Sequence, residues 1–134
     1  MILYQVSGIK YQDFLFMNKG YKKLKVYTEA NKLVILVYRA TDKFPKTELF
    51  GLISQMRRAA VSVVANVLEG HARKSKKEFR QFLSIANGSL VEVEYYIELS
   101  LELGYISNDL FNEMESQREL VGALLGGFIK HLDT

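Results

Sequence analysis

Apolar residues recur along most of the chain at intervals of three and four, the spacing of one face of an α-helix. The pattern predicts helices over residues 23–43, 47–69 and 76–103, and a fourth from residue 108 almost to the C terminus. Each predicted helix has a row of apolar residues that faces the core. The predicted inward residues are Tyr27, Ala30, Leu33, Val34, Val37, Tyr38, Thr41, Leu49, Leu52, Ile53, Met56, Ala60, Val63, Val67, Phe79, Phe82, Leu83, Ala86, Leu90, Val93, Ile97, Leu101, Leu110, Met114, Leu120, Val121, Leu124, Leu125, Phe128 and Leu132.

Residues with special backbone preferences mark the ends of these helices. The residue before Pro45 avoids helical geometry, so a corner follows the first helix. Gly70 and Gly104 are predicted to end the second and third helices, since glycine best adopts the left-handed C-terminal conformation. Ser75-Lys76-Lys77-Glu78 fits a capping box that starts the third helix, and Ser107 or Asn108 caps the fourth.

Asn87-Gly88 would suit a hairpin turn, but one helical register of apolar positions runs across it without a break. The third helix is therefore predicted to be continuous. Four helices joined by short links predict an all-α fold, an antiparallel up-down four-helix bundle over residues 21–134. Residues 1–20 are expected to form an arm outside the core, and residues 1–16 an appended segment before a start at Met17.

The composition excludes several classes of chemistry. Among 134 residues there is no Cys and there are two His, so thiol nucleophiles and Cys-ligated metals are absent. The Glu-x-x-His pattern of di-iron bundles is missing, as are phosphate-binding glycine loops. A hydrolase that uses Glu69 and Glu94 as metal ligands is a distant alternative. We predict no catalytic residues, no metal and no cofactor, no membrane span, and a cytoplasmic location.

Charge is distributed unevenly. The net charge is +4 over residues 1–38, +6 over 39–80 and −7 over 81–134, which gives +3 in total. The third helix has cations at its N-terminal end and acids toward its C-terminal end, namely Arg73, Lys74, Lys76, Lys77 and Arg80 against Glu92, Glu94, Glu98 and Glu102. At each end the charge has the sign that the helix dipole disfavours. Two interpretations remain open, an anion site for nucleic acid and a head-to-tail contact with the next subunit that closes a ring.

Two further patterns are better explained by packing of the helices than by a binding or catalytic site. Ser62, Asn66 and Glu69 form a polar stripe on the second helix, which we interpret as a hydrogen-bonded seam that fixes the turn after Gly70. Gly122 and Gly126, four residues apart in the fourth helix, suggest close packing of helices.

Several joined motifs resemble a known family. They are Tyr21-Lys22-Lys23-Leu24-Lys25, Phe44-Pro45-Lys46-Thr47-Glu48, Gln55-Met56-Arg57-Arg58, Asn66-Val67-Leu68-Glu69-Gly70 and Arg73-Lys74-Ser75-Lys76-Lys77-Glu78. Together they resemble the bacterial 23S rRNA intervening-sequence (S23) proteins, which are four-helix bundles. That family is similar in fold to the accessory variability determinant of diversity-generating retroelements, a homopentameric basic barrel that binds reverse transcriptase and nucleic acid. The resemblance implies a ring-shaped homo-oligomer, with a pentamer favoured.

The leading hypothesis is a non-catalytic, oligomeric protein that binds RNA, or links RNA to another protein, through a basic surface. Its predicted contacts are Arg57, Arg58, Arg73, Lys74, Lys76, Lys77 and Arg80. The alternatives are an accessory subunit that binds a reverse transcriptase and a purely structural scaffold whose charges serve subunit pairing.

Overall fold

The computed structural model of the protein describes residues 5–6, 9–10, 20 and 24–133. Four long helices dominate it: α1 (Lys25–Thr41), α2 (Ser54–His71), α3 (Lys76–Glu102) and α4 (Asn108–Leu132). The all-α prediction is confirmed. Near the N terminus, β1 (Gln5–Val6) pairs antiparallel with β2 (Ile9–Lys10). The rest of the predicted arm, residues 1–20, lies outside the described residues except for Gly20.

The core lies between the four helices. In the described part of the chain, α1 packs against α2, α2 against α3, α3 against α4, and α4 against α1. Each helix contributes a fully buried apolar side chain, such as Leu33, Met56, Leu83 and Met114. The three-and-four spacing of the sequence therefore places most of its predicted inward residues correctly.

The predicted start of the second helix is wrong. A 3-10 turn (Lys46–Glu48) and a π-helical segment (Leu49–Ile53) precede α2. Gly51 has φ −112° and ψ −114°, outside helical values, and the backbone bends there. The bend shifts the helical phase, so Leu49, predicted to point inward, is 50% exposed. Two other residues predicted to point inward are also exposed, Tyr38 of α1 at 42% and Leu120 of α4 at 37%.

Gly70 has a different role from the one predicted. α2 continues past it to His71, and Gly104 is the positive-φ glycine of the described residues. A Cβ atom at Gly70 would lie 2.8 Å from both Phe79 Cδ1 and Phe82 Cβ. Gly70 therefore permits close approach of α2 and α3.

The other predicted boundaries of α3 and α4 are confirmed. The Ser75 hydroxyl accepts from the Glu78 amide at 3.1 Å, and the Ser107 hydroxyl accepts from the Leu110 amide at 3.1 Å. α3 runs unbroken through Asn87-Gly88. It ends before Gly104, whose φ of 77° is left-handed, as glycine at this position allows.

The glycines of α4 only partly fit the close-packing prediction. A Cβ at Gly122 would lie 3.4 Å from Leu90 Cδ2, so this glycine does face α3. At Gly126 an added Cβ would have no neighbour within 4 Å among the atoms described. The prediction is wrong for Gly126, because this position faces away from the core.

Candidate nucleic-acid interface

The turn between α2 and α3 presents the basic residues of the sequence at one end of the bundle. α2 ends at His71 and α3 begins at Lys76, with Ser75 as its N-cap. Three lysines in this turn and at the start of α3 are all exposed, namely Lys74, Lys76 and Lys77. We call these three residues the lysine turn.

The lysine turn is not neutralised by its own chain. In the part of the chain that the structure describes, no carboxylate lies within 4.0 Å of these three ammonium groups. The helix adds to their charge. The first amides of an α-helix have no acceptor inside the helix; Ser75 accepts from that of Glu78, which leaves the amides of Lys76 and Lys77 at the surface.

The two arginines that flank the lysine turn are each paired with a carboxylate of the same chain. Arg73 forms an ion pair with Glu69, and its guanidinium lies 4.9 Å from the centre of the Phe82 ring. Arg80 forms an ion pair with Asp133, just beyond the end of α4. Both arginines remain close to half exposed. They can still contact a ligand, but part of their charge is already compensated.

The structure separates Arg57 and Arg58 from the other five predicted contacts. Both lie in the first half of α2, and fourteen residues of helix separate Arg57 from His71, or about 21 Å at 1.5 Å per residue. Arg57 is tied to α1: its Nε donates to Thr41 Oγ1 at 2.9 Å, and its guanidinium lies 4.5 Å from the centre of the Tyr38 ring. The seven residues therefore form two groups, and one compact ligand cannot contact both.

The acidic part of α3 is partly compensated. Arg118 of α4, with its side chain 14% exposed, forms ion pairs with both Glu94 and Glu115. The hydrogen bond to Glu115 raises the pKa of Arg118 despite the cost of burial. By contrast, no ion pair within the described residues involves Glu92, Glu98 or Glu102.

The polar stripe of α2 has two separate functions. Asn66 Nδ2 donates to the carbonyl oxygen of Ser62 at 2.8 Å, and Ser62 Oγ lies 2.8 Å from Ser89 Oγ of α3. This part links α2 to α3. Asn66 does not reach the turn after Gly70, contrary to the expectation, because its amide is bonded one helical turn earlier. Glu69 does support the turn, through Arg73.

Some of these partners could have been found in the sequence and others could not. Glu69 and Arg73 are four residues apart, a spacing that places opposite charges side by side on a helix. The partners Ser62 and Ser89 are 27 residues apart, and Arg80 and Asp133 are 53 apart. No local pattern indicates such pairs, since they depend on how the helices pack.

The described residues offer no sign of a metal centre. They contain no group of three or more His, Asp or Glu side chains that could hold a metal ion. Glu69 and Glu94, the distant candidates for metal ligands, are each paired with an arginine. His71 packs edge-on against Phe79, with ring centres 5.9 Å apart. None of the described helices is long and apolar enough to cross a membrane.

Comparison with known proteins adds a family and a fold. The sequence profile of the family described as 23S rRNA-intervening sequence protein matches residues 22–127. A crystal structure from Bacteroides thetaiotaomicron, described as a protein with unknown function from the S23 ribosomal protein family, superposes with a TM-score of 0.71. The two chains are 24% identical, and the match covers 78% of this chain and 95% of the other. No curated protein matches the sequence.

Proposed function

Because the chain belongs to the 23S rRNA-intervening sequence protein family, a membership that the motifs of the sequence predicted, we propose that it is a non-catalytic RNA-binding protein. In this proposal it acts as a ring-shaped homo-oligomer of up-down bundles, with a pentamer favoured. The lysine turn of each subunit contacts RNA phosphates.

The observation that carries this proposal is the uncompensated charge of the lysine turn. Three ammonium groups lie at the N-terminal end of α3 with no carboxylate in ion-pair range among the described residues. Each placement there opposes the helix dipole and costs about 0.3–1 kcal/mol before salt screening. A bound phosphate would reverse this cost, because both the lysines and the free amides favour an anion.

Contacts of this kind position a nucleic acid without identifying its bases. The aromatic ring of Phe82 beside the lysine turn is already covered by the Arg73 guanidinium. We therefore propose binding that follows the shape and charge of a structured RNA, such as a ribosomal hairpin, and that depends strongly on salt.

The test replaces the lysine turn and compares it with a matched basic cluster at the other end of the bundle. Fluorescence anisotropy measures binding of a labelled ribosomal RNA hairpin at low salt. The variant Lys74→Ser, Lys76→Ser, Lys77→Ser is expected to lose binding while its mass in solution stays unchanged. The control Arg39→Ser, Lys43→Ser, Lys46→Ser removes the same charge from exposed positions and is expected to retain most of the binding.

Two results would contradict the proposal. Absence of hairpin binding by the unmodified protein at low salt would exclude the RNA-binding function. If the lysine-turn variant instead dissociates into monomers, the lysines serve subunit pairing and the protein is a structural scaffold.

A further inference from the structure

A groove between α1 and α2 leaves large apolar side chains in contact with solvent. Tyr38, Leu49 and Val61 are 42%, 50% and 41% exposed. Together with Ile53 and Ser54 they line a shallow depression of about 380 Å³. Exposed apolar side chains are common singly, but a contiguous set at one site indicates an interaction surface.

The groove is also basic. Arg57 and Arg58 form part of its lining. Arg57 is fixed over the Tyr38 ring. Arg58 is exposed, and in the described part of the chain it has no ion pair. We call this surface, formed by Tyr38, Leu49, Ile53, Ser54, Arg57, Arg58 and Val61, the basic groove.

A second unpartnered surface lies on α3 and has the opposite charge. Val91 and Tyr95 are each 57% exposed and lie one helical turn apart. Three acids of α3 that form no ion pair within the described residues are exposed beside them, namely Glu92, Glu98 and Glu102. At spacings of three and four residues, Val91, Tyr95, Glu98 and Glu102 share one helix face. We call this surface, together with Glu92, the acidic ridge.

The two surfaces are complementary but cannot meet within one molecule. The basic groove lies between α1 and α2, whereas the acidic ridge lies on the outward side of α3. α3 packs against α2 and α4, diagonally across the core from α1. Each surface has apolar side chains at its centre and charged residues beside them. The charges are positive in the basic groove and negative on the acidic ridge.

We infer that the acidic ridge of one copy of this chain docks into the basic groove of a second copy. The inference rests on the homo-oligomer of the proposed function and names the surfaces that would form it. One contact accounts for both exposed apolar patches and for the three acids of the acidic ridge, which form no ion pair within the described residues. It also leaves the lysine turn, about 21 Å along α2 from Arg57, available for RNA.

Such a contact joins two different surfaces, so each added subunit leaves one free groove and one free ridge. Contacts of this type continue until the rotation between subunits closes a ring. Opposite charges on the two surfaces also disfavour groove-to-groove and ridge-to-ridge pairing. The inferred contact therefore gives a head-to-tail assembly, and charge repulsion disfavours a two-fold symmetric dimer through either surface alone.

Sedimentation velocity on single-surface variants tests the contact. Arg58→Glu disables the groove, and Tyr95→Glu disables the ridge. Each variant alone is expected to sediment as a monomer. An equimolar mixture is expected to form a one-to-one dimer and nothing larger, because only one intact groove and one intact ridge can then meet. Leu120→Glu, which introduces the same charge at an exposed apolar position of α4, is expected to leave the assembly unchanged.

A cross-linking arm keeps the test decisive if a charged variant folds poorly. The chain contains no Cys, so Val61→Cys and Tyr95→Cys each introduce a single thiol. A short bismaleimide is expected to join the two chains when they are mixed and to give little product with either chain alone. A monomeric unmodified protein, unchanged assembly in both charged variants, or equal cross-linking of each chain to itself would overturn the inference.

Hairpin binding separates this inference from the proposed function. Because the lysine turn is intact in Tyr95→Glu and Tyr95 is not one of the predicted RNA contacts, the Tyr95→Glu monomer is expected to bind RNA, with a lower affinity than the assembly. If assembly persists in these variants and RNA binding persists with it, only the assignment of surfaces fails.

Discussion

At the scale of single residues, Gly70 sets the separation of α2 and α3. Its missing side chain lets Phe79 and Phe82 approach the α2 backbone, where an added Cβ would lie 2.8 Å from each. One of these contacts is to the Cβ of Phe82, which cannot move without α3. A glycine at a helix end suggests a left-handed C-cap, and only the packed structure reveals the second reason for its presence.

Gly70→Ala is therefore expected to lower the free energy of unfolding by about 1–3 kcal/mol, as overpacking of a core does. Gly126→Ala is the matched control, because nothing described lies within 4 Å of its added Cβ. It is expected to raise the free energy by up to about 1 kcal/mol through helix propensity. Urea denaturation followed by circular dichroism measures both, and equal effects would contradict the packing role of Gly70.

Tyr105 ties the end of the α3–α4 connection to the corner before α2. Its hydroxyl donates to Glu48 Oε2 at 2.9 Å. This hydrogen bond, with a smaller contribution from burial, raises the pKa of Tyr105. A raised pKa means that the stabilisation is complete below the pKa of the unfolded phenol, about 10, and is lost as pH rises through the folded value.

The variant Tyr105→Phe is expected to melt at a lower temperature than the unmodified protein near pH 7. The difference in melting temperature should shrink above pH 10, because the unmodified protein then loses the same bond by ionisation. Thermal melts at several pH values check this. A difference that stays constant from pH 7 to 11 would contradict the assignment of the lost stability to the Tyr105–Glu48 hydrogen bond.

At the scale of elements, α3 has a charge pattern that weakens the helix. The lysine turn lies where the helix dipole favours anions, and Glu98 and Glu102 lie where it favours cations. Each end is explained by a different proposed partner, RNA phosphate at the first and the basic groove of another copy at the second. The helix itself is stabilised by its buried face, from Leu83 to Ile97, and by the Ser75 cap.

Replacing Lys76 by Glu is expected to stabilise the fold and to impair function. The dipole term predicts a gain of about 0.3–1 kcal/mol, reduced by salt. RNA binding should fall more than for Lys76→Ser, since a repulsive charge replaces an attractive one. Urea denaturation and hairpin anisotropy on the same samples measure the two effects. A loss of both stability and binding would mean that Lys76 has a structural role.

The sequence was a good guide to the helices and a poor guide to the corner between α1 and α2. Apolar residues at intervals of three and four predict the buried face of a straight helix. This pattern therefore predicted α1, α3 and most of α2 and α4. It could not register the bend at Gly51, where the backbone leaves helical geometry. That bend exposes Leu49, which helps to form the basic groove, so the surface missed by the pattern is one that we propose to be functional.

At the scale of the whole molecule, the sequence predicted the positive charge of the candidate site. It did not predict which of the basic residues lie together in the folded protein. The lysine turn is a local run of residues, and the run alone indicates its position at a helix start. Arg57 and Arg58 belong to a different surface because α2 carries them about 21 Å away, onto the face beside α1. Which cations are paired and which are free depends on distant residues such as Asp133.

The salt dependence of RNA affinity tests the central claim most directly. Each phosphate neutralised by a lysine contributes about −0.9 to the slope of log affinity against log salt concentration for a duplex. We predict a slope steeper by roughly 2–3 per bound subunit for the unmodified protein than for the Lys74→Ser, Lys76→Ser, Lys77→Ser variant. Equal slopes for the two proteins, measured on one ribosomal hairpin between about 50 and about 200 mM salt, would show that the lysine turn does not contact RNA.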